Sequence, residues 1–368
     1  MAEPLKNIYS PEFFQEFNEA MSHGHAKFNA KAFLTEVYSD GWEDLELKGR
    51  MRRISSSLRP FLNSDYKESL SELKICVKAL QKKTDSEFNY EFMFIPDYVE
   101  VFGLEDLNPS VKAFTSITQF SSCEFAVRPF IATHPQKMYK QMIQWAVHKD
   151  KLVRRLASEG YRPRLPWAMA LPELKIDPSP LLEMLELLKD DEAETVRKSV
   201  ANNLNDISKD HPKLILELAQ KWIGRTKQCD WVLKHGCRTL LKKGMPEAME
   251  LFGLSYNSNI THASLTVSEK SINMGDSLEF SFNLVNSSKS YVLTRLEYAI
   301  YYQKANGTLS KKVYKISEKE YAGNSEVLIS RKQPFKPIST RKFHAGKHQL
   351  ALIINGKEFE RYDFNLSI

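Results

Sequence analysis

The hydrophobic pattern changes period once, near Leu254, and that change limits what the chain can fold into. Before it, apolar residues recur every three or four positions. After it, they alternate. The first spacing lines one face of a helix and the second one face of a strand, so no single element type serves both parts. The expected class is mostly α with a C-terminal all-β domain. At 368 residues the chain is long enough for two domains, each with its own core.

In the first part, Ser10-Pro11 reads as a helix cap with Pro at the first helical position, leading into FFQEFNEAM. A second helix is expected over Ala30–Tyr38. Leu45–Leu62 places Leu47, Met51, Ile54 and Leu58 on one face, and Tyr66–Lys82 is amphipathic in the same way. Phe88–Phe102 is aromatic-rich and fits either element. Further helices open at Pro109, Pro135, Pro178 or Pro180, and Pro212. Three of these are followed by second helices of related texture, VRRLASEG, VRKSVANNL and WVLKHGCRTL. Aligning Val153, Val196 and Val232 gives steps of 43 and 36 residues, the period of HEAT-like helix pairs. Stacked pairs form a solenoid whose second helices line a concave face. An irregular bundle is the alternative.

After Leu254, SYNSNITHAS reads as a linker. SLEFSFNLV, LTRLEYAIYY, KKVYKIS, HQLALII and EFERYDFNL then alternate, and Asn306-Gly307 and Asn355-Gly356 supply tight turns. About seven short strands suggest an immunoglobulin-like β-sandwich. The domains are thus expected at 1–256 and 263–368.

No run of about 18 apolar residues occurs, so no membrane span is expected. The N-terminal MAEPLKNIYSPEFF lacks a secretory h-region, which points to the cytoplasm. Four cysteines without CxxC or zinc spacing suggest buried free thiols, with no metal or cofactor. From Ala263 onward there are 16 Lys+Arg against 10 Asp+Glu, so the whole excess of the +6 net charge lies there. A balanced first part binds a polyanion only if its bases gather on one face.

Chemistry concentrates between Arg154 and Asp206. Glu159 follows Arg155 by four residues, which on a helix is most often a surface ion pair. Gly160 then ends the helix, and Arg162-Pro163-Arg164 leads to Trp167. A tryptophan beside three arginines is either a core plug or a surface for something flat and cationic, and the residues alone leave the two even. Asp206 closes VRKSVANNLND, one turn beyond the position that aligns with Glu159. As a lone residue it reads as a cap for the next helix, whereas with Asn202 and Asn203 it reads as part of a polar face. Glu124 completes an S-x-x-E capping box with Ser121.

RRLASEGYRPRLPWA, SVANNLNDISKDHP and SSCEFAVRPFI resemble the AlkC branch of the AlkC/AlkD alkylpurine DNA glycosylases, and the resemblance runs from the N-terminus to Ile368. It implies that Glu124, Glu159 and Asp206 are the catalytic-site acids and that Trp167 and Arg155 lie beside the lesion. Arg162, Arg164, Lys198, Asn202, Lys234 and Arg238 are the expected DNA contacts. The implied activity is excision of cationic N3-methylated bases from double-stranded DNA by a monomer, without a base-flipping pocket. A non-catalytic solenoid that binds DNA or protein is the competing reading, since fold alone does not give function. Clustered acids favour the enzyme, because a pure DNA clamp would carry bases there.

Overall fold

The computed structural model describes residues 4–338 and 341–368, and the chain divides into two compact units. The first runs to His211 and includes Trp222–Gly236; the second comprises Pro212–Lys221 and Cys237–Ile368.

The helices, in chain order, begin with α1 (Pro11–Gly24), α2 (Ala30–Val37), α3 (Leu47–Leu58), α4 (Tyr66–Gln81), α5 (Phe94–Gly103) and α6 (Leu107–Ile117). Next come α7 (Val127–Thr133), α8 (Pro135–Ala146), α9 (Lys151–Gly160), α10 (Pro172–Ile176), α11 (Ser179–Leu188) and α12 (Glu194–Ile207). The series ends with α13 (Pro212–Trp222), α14 (Lys227–Gly236), α15 (Arg238–Lys242) and α16 (Pro246–Leu251). The Ser10 hydroxyl caps α1 by accepting from the Phe13 amide at 3.3 Å, with Pro11 at the first position. The ambiguous aromatic stretch resolves into a 3-10 turn, Tyr90–Phe92, followed by α5. Helix α6 opens two residues before Pro109, which sits within its first turn, where a missing N–H is harmless.

The three aligned second helices are α9, α12 and α14. Each packs on the next, and α8 and α11 pack on each other and on α9. Val153, Val196 and Val232 are all fully buried in these contacts. Small residues permit the close approach: a Cβ on Gly236 would lie 2.9 Å from Leu204 Cβ, well inside van der Waals contact. This is a helical-repeat arrangement, and it sets the ends of α9 and α12 side by side.

Among the described residues of the second unit, eight strands form two sheets: β1 (Ile260–Val267), β2 (Ser271–Asn273), β3 (Ser277–Asn286), β4 (Val292–Gln303), β5 (Leu309–Tyr321), β6 (Ser325–Pro334), β7 (Gly346–Ile354) and β8 (Lys357–Ser367). One sheet has the order β1-β3-β6 and the other β2-β8-β7-β4-β5. Alternate residues of β3 (Leu278, Phe280, Phe282, Leu284) and β4 (Leu296, Tyr298, Ile300, Tyr302) enter one shared core, as period two requires. Three strands are missing from the sequence reading: β6; β2, three residues long and paired in parallel with β8; and β1, which begins at the buried Ile260 inside the stretch read as a linker and pairs with β3. Asn355 and Gly356 both take positive φ (45° and 78°), which the two-residue turn between β7 and β8 requires. Helices α15 and α16 group with the sheets. Gly244 lies so close to Gly356 that a Cβ there would meet the Gly356 carbonyl oxygen at 2.6 Å. Among the described residues, no helix is long and apolar enough to cross a membrane.

Candidate active site

Glu124 lies in the turn before α7, Arg155 and Glu159 on α9, Arg162 just beyond it, and Asp206 on the last turn of α12. Stacking of α9 on α12 and of α9's C-terminus against the α7 turn draws all five into one row. Arg155 Nη1 is 2.7 Å from Glu124 Oε2. Arg162 Nη1 donates to Glu159 Oε1 at 2.6 Å and its Nε to Asp206 Oδ2 at 2.9 Å. Lys209 Nζ closes the row on Asp206 Oδ1 at 3.0 Å. The charges therefore alternate: acid, base, acid, base, acid, base.

Three local readings of the sequence are corrected by this geometry. Arg155 and Glu159 do not form the expected i,i+4 pair, because Arg155 turns to Glu124 and Glu159 to Arg162. No capping box forms at Glu124. The Ser121 hydroxyl donates to Asn89 O at 2.9 Å, while the Ser122 hydroxyl and Arg155 hold the Glu124 carboxylate. Asp206 is not a helix cap, since both its oxygens are engaged by Arg162 and Lys209.

All three acids are buried, with Glu124 8%, Glu159 6% and Asp206 2% exposed. Isolated carboxylates would be costly there, and the interleaved guanidinium groups offset that cost. Burial alone would lower the Arg155 and Arg162 pKa values. Glu124 and Glu159 beside the first, and Glu159 and Asp206 beside the second, raise both above the ordinary arginine value. Among the described residues, no donor reaches Glu124 Oε1 or Glu159 Oε2, and neither oxygen is sealed from solvent. These two lone-pair positions are open to an incoming group.

Trp167 is 68% exposed, which decides against a core plug. Its backbone is also left-handed (φ 65°), an uncommon state for a bulky residue that costs about 1–3 kcal/mol. Of the expected DNA contacts, Arg162 is only 7% exposed and is engaged by the acids, so it faces the carboxylates rather than phosphates. Arg164 forms a two-pronged pair with Asp210 at the surface, and Lys198 pairs with Glu194 one turn back at 2.6 Å. Lys198, Asn202 and Asp206 succeed one another at intervals of four along α12. Lys234 is half-buried on α14, and Arg238 half-buried at the start of α15 in the second unit.

The sequence reading missed two groups. The Arg155 guanidinium lies 5.0 Å over the Phe88 ring, which stacks on the exposed Tyr90, so the ambiguous aromatic stretch walls one end of the row. Arg128, in SSCEFAVRPFI, is fully buried and donates only to backbone carbonyls: Gly160 (2.9 Å), Arg162 (2.8 Å) and Met169 (2.6 Å). Burial and the nearby Arg162 push its pKa down to about 10, which leaves it charged at neutral pH. Its place on the first turn of α7 carried no sign in the sequence that it staples a loop.

A helical repeat bearing buried, arginine-bridged carboxylates on its stacked helices, joined to a two-sheet sandwich, is the architecture of a DNA repair family. The model of the DNA alkylation repair enzyme family matches residues 59–243, half of the chain, and that of the YhaZ C-terminal Ig-like domain matches residues 261–368. The chain belongs to the DNA alkylation repair enzyme family, in the AlkC-type form that carries the Ig-like domain. The uncharacterized protein YhaZ of Bacillus subtilis (strain 168) is 43% identical over 362 residues, covering 98% of this chain and 99% of that protein. The solved structure of Pseudomonas fluorescens alkylpurine DNA glycosylase AlkC, bound to DNA containing an abasic site analog, is 33% identical. It superposes with a TM-score of 0.93 over 100% of both chains.

Proposed function

We propose that this chain is a monofunctional DNA glycosylase that hydrolyses the N-glycosidic bond of cationic N3-methylated bases, 3-methyladenine and 3-methylcytosine, in double-stranded DNA. The reading rests above all on the row formed by Glu124, Glu159 and Asp206, buried and held by arginines beside an exposed tryptophan. The likeness to AlkC, whose structure holds DNA with an abasic site analog, supports it.

Methylation at N3 leaves the base positively charged, so its bond to the sugar is already weak and the base departs neutral. The enzyme must then stabilise an oxocarbenium-like sugar. Fixed carboxylates in a water-poor site do so electrostatically, and an open carboxylate oxygen can orient or deprotonate the attacking water. Glu124 Oε1 and Glu159 Oε2 are the open oxygens here. Arg155, Arg162 and Lys209 balance the three acids, so the row meets the phosphate backbone without net repulsion. Trp167 stacks on the cationic base from outside, a contact that needs no deep flipping pocket. Among the described residues, none of the hydrogen bonds or ion pairs of the three acids involves a histidine.

The test is a panel of duplexes carrying one defined lesion each, assayed for base release under single-turnover conditions. Release of 3-methyladenine and 3-methylcytosine, but not of hypoxanthine, is expected. Asp206→Asn and Glu159→Gln should lose release and keep DNA binding. Full release by both variants would refute the catalytic assignment, and rapid hypoxanthine release would require a proton donor outside this row.

A further inference from the structure

The loop from Tyr161 to Leu171 carries both Arg162 and Trp167, yet only part of its restraint comes from within. Leu171 N donates to Pro163 O and Ala168 N to Leu165 O, each at 3.3 Å. Arg128 fastens the two ends from inside, through the carbonyls of Gly160 and Arg162 on one side and Met169 on the other. Trp167 itself lies between these anchors, exposed and in a left-handed backbone state that such a residue leaves when nothing holds it. One further group reaches it: Lys48, in the first turn of α3, donates from Nζ to the Trp167 carbonyl. The same ammonium lies 5.1 Å over the ring of Phe125, the neighbour of Glu124.

We propose that Lys48 is a positioning residue for Trp167, holding its carbonyl so that the indole is presented to the lesion in one orientation. Lys48 lies ahead of residues 59–243, in a helix that contributes none of the three acids. An ammonium suits the task because it has three donors and can serve the carbonyl while resting on the Phe125 face. It joins the turn carrying Glu124 to the loop carrying Trp167, so the acid row and the stacking surface are set relative to each other. The inference rests on the reading of Trp167 as the lesion contact.

The experiment is a double-mutant cycle in the full chain, with Lys48→Met, Trp167→Ala and both together, read by single-turnover release of 3-methyladenine. Trp167→Ala should slow release by about 5–30-fold, the equivalent of losing a desolvated cation–π contact. Lys48→Met should slow it by about 3–10-fold in the parent and not at all in the Trp167→Ala background, since a lysine acting through Trp167 has nothing left to position. Lys48→Arg, which keeps a donor for the carbonyl, should restore release to within about twofold of the parent. A second readout does not depend on activity: hydrogen exchange across the Tyr161–Leu171 segment should quicken in Lys48→Met while the rest of the chain is unchanged. Equal losses from Lys48→Met in both backgrounds, or exchange in that segment identical to the parent, would overturn the positioning role. Quickened exchange together with a harmless Trp167→Ala would instead show that the loop is held by Lys48 while Trp167 is not the lesion contact.

Discussion

Gly160 is where a single methyl group should separate fold from activity. It is the last residue of α9, and a Cβ built there would lie 2.6 Å from Val127 Cγ1, 3.5 Å from Leu156 Cδ1 and 4.0 Å from the Glu124 Cα. Carbon atoms settle at about 3.5–4.0 Å, so Gly160→Ala forces a displacement of roughly 1 Å at the seam between α9 and the turn that precedes α7. Valine is stiff at χ1, and its methyl cannot swing aside as a longer chain could. The displacement falls between Glu124 on one side and Glu159 on the other, and it also pulls the Gly160 carbonyl from Arg128. Overpacking costs about 1–3 kcal/mol, and alanine regains roughly 1 kcal/mol in helix propensity, leaving a net loss of about 0–2 kcal/mol. For a domain of this size that lowers Tm by only a few degrees. On the proposed mechanism base release should suffer far more, by about 100-fold, because a misplacement of that size would disturb the spacing of carboxylates that are to act on the sugar. Single-turnover release and thermal denaturation on the same preparation separate the two effects. Val127→Ala on top of Gly160→Ala removes the clashing methyl and should recover most of the rate. Full-rate release by Gly160→Ala, or no recovery in the double variant, would refute the view that this contact sets the spacing of the acids.

Three further outcomes are expected. Arg162→Met should be destabilising by about 3–5 kcal/mol near neutral pH, since it strands the buried Glu159 carboxylate and leaves Asp206 with Lys209 alone. Thermal melts of the variant and the parent at neutral pH measure the deficit, and equal stability would refute this structural role of Arg162. Truncation after Tyr256 removes the basic excess and should flatten the salt dependence of DNA binding. It should also destabilise α15 and α16, which lose Gly356 against Gly244 and the Asn355 Nδ2 bond to Ser255 O; an unchanged salt slope would deny the sandwich a phosphate-binding role. His348 is fully buried, accepts from Gln303 N at Nδ1 and faces His344 O with Nε2, an arrangement suited to neutral imidazole. Burial holds its pKa below the usual ~6.5, so the unfolded chain binds the proton first and stability of the second unit should fall as pH drops below about 6.5. Replacement by Gln should remove part of that slope in calorimetric scans, and an unaltered slope would place the sensitivity elsewhere.

The fold was legible because its two parts obey different periods and its helices are punctuated by prolines. The alignment of Val153, Val196 and Val232 identified the helices that do stack, because those positions must be apolar to enter the repeat core. The pairing of charges was not legible. Residues four apart on α9 suggested that Arg155 holds Glu159, but each finds a partner from another element instead. Local spacing says which side chains share a face, and it is silent about what packs against that face. The same limit hid Arg128, whose three acceptors lie 32 to 41 residues away. Strand β2 escaped because three residues are too short to show a period.

The alternating row bears on the choice between enzyme and scaffold. A groove that only holds DNA gains affinity from unpaired bases, so natural selection for binding alone would leave Arg155 and Arg162 facing outward. Here both are turned inward and occupied by acids, while the surface bases Arg164 and Lys198 are themselves paired with Asp210 and Glu194. That arrangement sacrifices phosphate attraction at the very place where the helices converge. What it obtains is three carboxylates held by cations in a buried setting, two of them with an oxygen that no hydrogen bond of the described residues occupies. Such preorganised negative charge has little use in a passive clamp, but it matches a sugar that becomes cationic as its base departs. The pairing also offsets the cost of burying the acids, because each shares a guanidinium or ammonium in place of lost water. On this reasoning the arginines of the row serve the acids before they serve the DNA.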